Sequence, residues 1–225
     1  MKALLTSIED KARLEHTALI VVDIQNDFLH PEGFMAKHTP AWKPVDNMVE
    51  RLECLIAGAR EYGVFILFAR NWFSNLTLSP VIRERWQRIW PGLDVRMCWE
   101  NDWGADFYRV KPLPSEPVII KHRYSAFLNT DLDMVLHNHS IKTLVITGYT
   151  TNACVETTAR DAYMHDYYVV VAGDCCACQN PVLHEATLRS IETGYGVVTS
   201  SDKLLAIWSR SKHPAVPRPP ADKHG

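Results

Sequence analysis

Three reactive side chains each follow a short apolar run. Asp23 comes after ALIVV, Lys121 after PVII, and Cys154 a short turn beyond TLVIT. Runs that are apolar throughout read as strands buried on both faces of a parallel sheet, and such sheets bind ligands outside the carboxyl ends of their strands. All three side chains are therefore expected at one edge of one sheet. Their types suit a single chemistry. A thiol at the start of a helix feels the positive end of the dipole, which favours the thiolate, and a nearby ammonium lowers its pKa further. A carboxylate beside it can take the thiol proton and return it to a leaving amine. Backbone N–H groups at the start of the same helix can hold an oxyanion. Together these parts describe acyl transfer through a thioester, followed by hydrolysis. Each residue also has a plainer reading. A cysteine near a helix start is usually a small core residue. An aspartate after a first strand is often a turn residue, and a lysine at a strand end usually points into solvent. The functional reading rests on the coincidence of all three at one edge.

The elements that must position them follow from periodicity. Strands are predicted over Thr17–Val22, 64–69, 117–120, 143–147, 168–172 and 197–199. Val45, Met48, Leu52, Leu55, Ile56 and Ala59 recur at helical spacing, so 44–62 reads as a helix ended by Gly63. Thr130 and Asp133 form a capping pair for a helix to about His139, and further helices are expected over 153–166 and 181–193. Strand–helix alternation predicts βαβ units with right-handed crossovers, an α/β fold with one doubly wound, mostly parallel sheet and helices on both faces. The stretch 71–109 breaks the rhythm. It holds Trp72, Trp86, Trp90, Trp99 and Trp103 among many charges, and long connections of this kind often act as lids or binding loops.

Composition narrows the classes. The 225 residues carry Lys+Arg 24 against Asp+Glu 26, a net charge of -2, with 47% hydrophobic residues. That balance offers no basic surface for nucleic acid. No apolar run approaches the roughly 20 residues that span a bilayer. Glu9, Asp10 and Glu15 stand where a signal peptide would be apolar. The six cysteines, three of them clustered at Cys175, Cys176 and Cys178, do not make a disulfide framework, so a reducing cytoplasm is expected. One domain is expected over 1–213, with a proline-rich tail over 214–225.

The segments DIQNDF, KHRYSAF and GYTTNACVETTARDA resemble, in order, three signatures of the isochorismatase-like cysteine hydrolases. The resemblance runs from about Thr17 to Val198. It implies six strands in the order 3-2-1-4-5-6, with Asp23 as base, Lys121 as its partner and Cys154 as nucleophile. It also implies a cis peptide before Thr150 and an oxyanion hole made by the Thr150 and Cys154 N–H groups. Isochorismatases proper lack the nucleophilic cysteine, so Cys154 favours C–N hydrolysis. Nicotinamidases of the family carry a metal-binding Asp-x-His pair after the second strand, whereas RNWFSNLTLSPVIRERW has no histidine. No metal and no cofactor is expected. RNWFSN, NDWGADF and KHRYSAF resemble members acting on ureido or carbamoyl compounds. The expected partner is therefore a small amide or ureide. A maleamate- or hydrazide-type amide, or a binding protein of the same fold without chemistry, remains the alternative. Family members often form dimers or tetramers, so a homo-oligomer is expected.

Substrate contacts are expected from Phe28, Asn71, Trp72 and Tyr124. Phe28 can wall a pocket, and Tyr124 can offer its hydroxyl. Asn71 and Trp72 can hydrogen-bond and stack on a planar ureide, although core packing explains an aromatic equally well. Arg123 can pair with a substrate carboxylate or stay a surface charge. His122, next to Lys121, is expected on the opposite face of its strand. The Cys175-x-x-Cys178 spacing follows a late strand rather than opening a first helix, which favours core or loop cysteines over a redox pair.

Overall fold

The structure is a computed structural model, and it describes residues 4–212. Six parallel strands form one sheet in the order β3-β2-β1-β4-β5-β6. They are β1 Thr17–Val22, β2 Phe65–Asn71, β3 Val118–Lys121, β4 Thr143–Tyr149, β5 Tyr168–Ala177 and β6 Gly196–Thr199. The expected strand order and doubly wound class are both met. The proline-rich segment from Pro214 lies outside the described residues.

Alternation along β1 splits the core in two. Leu19 and Val21 face the Asp46–Tyr62 and Ser201–Lys212 helices, joining Leu52, Leu55, Ile56 and Trp208. Ala18, Ile20 and Val22 face the other layer, joining Leu132, Leu136, Val155, Ala159 and Ile191. All six β1 residues are buried, which is why the run is apolar without alternation. The Asp46–Tyr62 helix stops where the sequence predicts. Gly63 takes φ 78, and the Val64 N–H reaches back to the Ala59 carbonyl at 2.9 Å. This left-handed end satisfies carbonyls that the last turn leaves open. The expected cap at Thr130 and Asp133 is only half formed. Thr130 Oγ1 accepts from the Leu132 N–H at 3.2 Å, but Asp133 accepts instead from the Tyr167 hydroxyl at 2.9 Å.

The 71–109 stretch is no bare loop. It contains the Pro80–Ile89 helix and a short turn of helix at Trp103–Ala105. Phe73, Trp86, Trp90, Met97 and Trp99 form a third, smaller core. That core stands beyond the carboxyl ends of β1 and β2, where it supplies one wall of a cavity. The tryptophans thus build a wall, a role their spacing alone does not disclose.

The centre of the sheet closes tightly beneath that cavity. Gly148 has φ 121, and a Cβ on it would lie 2.0 Å from the Val22 carbonyl oxygen. β1 and β4 could not keep their register there with any side chain at 148. Between Ile146 and Gly148 of β4, β5 advances from Val171 to Cys176, so β5 bulges toward the same edge. Gly148→Ala should therefore cost well over about 1 kcal/mol of unfolding free energy. Gly63→Ala, with no atom within 4 Å of its Cβ position, should cost less. Chemical denaturation of both variants measures this, and an equal or smaller loss at Gly148 would contradict the packing described.

Candidate active site

The strand register brings the polar residues together. Asn71 of β2 pairs with Lys121 of β3. Two residues earlier, Ala69 and Ile119 point into the helical layer that contains Cys154, so alternation sends Asn71 and Lys121 to that same face. Asp23 breaks the rule. Val22 already faces that layer, and the next residue of a regular strand would turn away. Asp23 instead takes a left-handed backbone, φ 53, directly after β1. That conformation costs a non-glycine residue about 1–2 kcal/mol, and aspartate tolerates it better than most. It swings the carboxylate back beneath the end of β2.

The resulting cluster is buried. Lys121 Nζ lies 2.7 Å from Asp23 Oδ2, and both side chains are fully shielded from solvent. Asn71 donates its backbone N–H to Asp23 Oδ1 at 3.0 Å and its side-chain amide to Oδ2 at 3.0 Å. The same amide lies 4.0 Å from Cys154 Sγ. Lys121 also donates to the Arg123 carbonyl at 3.1 Å. Gln25 locks the end of β2 in place. Its amide donates to the Asn71 and Ala105 carbonyls, both at 2.9 Å, and its oxygen accepts from the Asn71 N–H at 2.8 Å.

Cys154 enters from the other side of β1. The peptide bond Tyr149–Thr150 is cis, as the sequence resemblance implies. A wide turn, Thr151–Val155, carries Cys154 ahead of the Glu156–Met164 helix. Thr151 Oγ1 and His184 Nδ1, 2.8 Å apart, tie this turn to the Pro181–Gly194 helix.

Electrostatics in the cluster differ from the sequence expectation of a stabilised thiolate. Burial first, then the Asp23 charge, push the Cys154 thiol up to about 12, and Lys121 offsets only part of this. Burial also lifts Asp23 above the usual carboxylate range, against the opposing pull of Lys121. Lys121 is held above its ordinary value, because Asp23 and Cys154 outweigh its own burial. These directions favour an ion pair beside a neutral thiol.

A cavity of about 540 Å³ opens above this cluster. Of the expected contacts, Phe28, Asn71, Tyr124, Thr150 and Cys154 line it. Trp72 does not. It follows Asn71 and so falls on the other face with Arg70, whose guanidinium lies 4.2 Å over its ring. Asn71 lines the cavity but has its amide committed to Asp23, so it is more than a substrate contact. His122 also lines the cavity, against expectation, because β3 ends at Lys121 and alternation ends with it. His122 Nδ1 donates to the Trp72 carbonyl at 2.5 Å. Cys175 and Cys176 are buried in β5, as core cysteines, whereas Cys178 reaches the cavity. Sequence reasoning missed Gln25 and Cys178. The only sequence signal for Gln25 was its place within DIQNDF. Among the described residues, no group of three or more His, Cys, Asp or Glu could hold a metal ion.

A thiol, a carboxylate and an ammonium thus gather at the carboxyl edge of a doubly wound parallel sheet. The isochorismatase domain model matches residues 17–203, and the chain belongs to that family. It is 33% identical over 199 residues to a ureidoacrylate amidohydrolase of Pantoea ananatis, covering 83% of this chain and 79% of the relative. Its fold matches a cysteine hydrolase from Pseudomonas syringae with a TM-score of 0.77 at 23% identity, covering 94% of this chain and 100% of that one. An N-carbamoylsarcosine amidase from Thermoplasma acidophilum matches with a TM-score of 0.66 at 29% identity, covering 83% of this chain and 97% of that one.

The buried pair gives a stability test. Lys121→Met leaves the Asp23 carboxylate buried without its counter-ion and should cost about 3–5 kcal/mol. The double variant Asp23→Asn/Lys121→Met should regain most of that loss. Urea unfolding of the four proteins in the cycle measures the coupling, and additive losses would contradict a paired cluster.

Proposed function

We propose that this chain is a cysteine amidohydrolase that cleaves the C–N bond of a small ureido or carbamoyl compound. The observation that carries the reading is the Asp23 carboxylate, held by Lys121 and Asn71 beside the Cys154 thiol at the floor of the cavity. The kinship with amidohydrolases of ureido and carbamoyl compounds supports the substrate class.

In this reading Asp23 is the base. Its pKa is raised and that of the thiol lies far above neutrality, so the proton moves as the sulfur attacks rather than before. Cys154 Sγ bonds to the substrate carbonyl carbon, and the thiol proton passes to Asp23. The Thr150 and Cys154 N–H groups receive the oxyanion. When the intermediate collapses, the C–N bond breaks and Asp23 returns its proton to the leaving nitrogen. Ammonia or an amine departs, leaving a thioester on Cys154. Water then attacks the thioester with Asp23 again taking a proton, and the thiol is restored. Lys121 keeps Asp23 oriented and balances its charge, while Asn71 fixes both carboxylate oxygens. Phe28 and Tyr124 shape the pocket around the bound molecule.

The same reading makes the protein a cytoplasmic homo-oligomer of one hydrolase domain. The unpaired state of its six cysteines suits a reducing compartment. Among the described residues, no helix is long and apolar enough to cross a membrane.

Ammonia release from ureides, carbamoyl amino acids and simple amides tests the assignment. Ureido or carbamoyl compounds should give the highest kcat/KM, and nicotinamide or a bulky aryl amide as best substrate would contradict it. Cys154→Ala should lower turnover by at least about a thousandfold with the melting temperature little changed. Retained turnover in that variant would end the covalent route. The pH profile carries a sign. Protonation at low pH removes the base, so kcat/KM should fall as pH drops, with its midpoint above the ordinary carboxylate value of 3.8. It should show no further rise near about pH 8.5, where an ordinary thiol ionises.

A further inference from the structure

The cavity rim carries an unbalanced charge. Three arginines line it, Arg85, Arg88 and Arg123, against one carboxylate, Glu84. Two of the three are already engaged. Arg123 donates to the Thr77 carbonyl at 3.2 Å and to the His122 carbonyl at 2.6 Å, which holds the loop beyond β3. Arg88 pairs with Glu84 at 3.2 Å along the helix. Arg85 makes no hydrogen bond or ion pair with the described residues, and its one close partner is the Tyr124 ring, 5.7 Å from the guanidinium carbon.

Its mounting is firm. Arg85 sits on the Pro80–Ile89 helix, which Ser79 caps by accepting the Ile82 N–H at 3.3 Å. The next residue, Trp86, is 3% exposed and packs edge-on against Phe73 in the small core. Tyr124 spans the distance inward. Arg85 lies over its ring, and the hydroxyl feels the charge of Arg85 first and then those of Cys154 and Lys121, so Tyr124 stands between the rim and the thiol. A molecule with its carbonyl at Cys154 and its length along Tyr124 would bring its far end to Arg85.

We propose that Arg85 is a specificity residue that binds a carboxylate of the substrate, so that the enzyme selects ureido or carbamoyl acids over neutral ureides. This rests on the ureide reading above and names the part of the substrate which that reading leaves open. The guanidinium fork matches a carboxylate with two parallel hydrogen bonds. The pair gains strength as the ligand covers it, since an exposed ion pair contributes little. A site built this way holds a neutral analogue less well, because the fork is left unpaired. Arg123, the arginine that the sequence suggested for this role, has its Nη1 tied to two backbone carbonyls, which fixes it to the loop beyond β3.

The test uses 3-ureidoacrylate and the matched neutral ureide in which a methyl group replaces the carboxylate. Wild-type protein should prefer the acid by at least about tenfold in kcat/KM. Arg85→Gln should lower kcat/KM for the acid by roughly ten- to a hundredfold, mainly through KM. The loss should be confined to the acid, and Arg85→Lys should recover part of it. Arg123→Ala should weaken both compounds alike, because it loosens the loop. Equal losses on acid and neutral ureide in Arg85→Gln, or an acid-selective loss in Arg123→Ala instead, would overturn the assignment. Wild-type protein inert on both ureides would end the ureide reading instead. Arg85 is then tested by calorimetric binding of amides to the Cys154→Ala protein. Maleamate should bind better than maleamide, and adding Arg85→Gln should abolish the difference. No difference with Arg85 in place would overturn the proposal here too.

Discussion

The structure depends on one buried ion pair. Asp23 and Lys121 meet at 2.7 Å with no solvent contact. Two such charges are costly to bury, and they persist only with good geometry and further hydrogen bonds. The fold supplies both. Lys121 ends β3, two strands from Asp23 across the end of β2. Neighbouring strands lie about 4.8 Å apart, so a long side chain is needed to pass under β2. Asn71, at the end of β2, fills the space between by binding both carboxylate oxygens. Gln25 then fixes Asn71 from the other side. Removal of any one member leaves a buried polar group without its partner.

This arrangement also sets the chemistry. A thiol beside a neutralised pair, deep in the protein, gains little from the charge of Lys121, because the charge of Asp23 opposes it more strongly. The thiol stays protonated, and its reactivity depends on a base that is already in place. The raised pKa of Asp23 brings acid and base closer together, which eases proton transfer in both directions. A single carboxylate can then serve attack, departure of the leaving group and hydrolysis in turn.

Much of this was legible in the sequence, for identifiable reasons. β1, β4 and the start of β5 are buried on both faces, so their apolar runs mark them clearly. Asp23, Lys121 and Cys154 lie at strand ends, where punctuation by reactive residues is easy to see. Other features depend on geometry that local pattern does not carry. The left-handed turn at Asp23 redirects its side chain. The end of β3 at Lys121 frees His122 to face the cavity. Alternation in β2 pairs Trp72 with Arg70 and removes it from the site. The bulge in β5 carries Cys178 to the cavity. Arg85 was hidden among the charges of a segment whose helix is held by the tryptophan core, a tertiary effect with no local signature.

The central claim is that Cys154 rests as a neutral thiol and yields its proton to Asp23 only during attack. Ultraviolet thiolate absorbance, taken as the difference between wild-type protein and Cys154→Ala, tests it most directly. The account predicts no thiolate signal from Cys154 between about pH 5 and pH 9, a range in which an activated cysteine would ionise. A thiolate signal that titrates within that range would contradict it, and would show that Lys121 and the turn at Thr150 outweigh burial and Asp23.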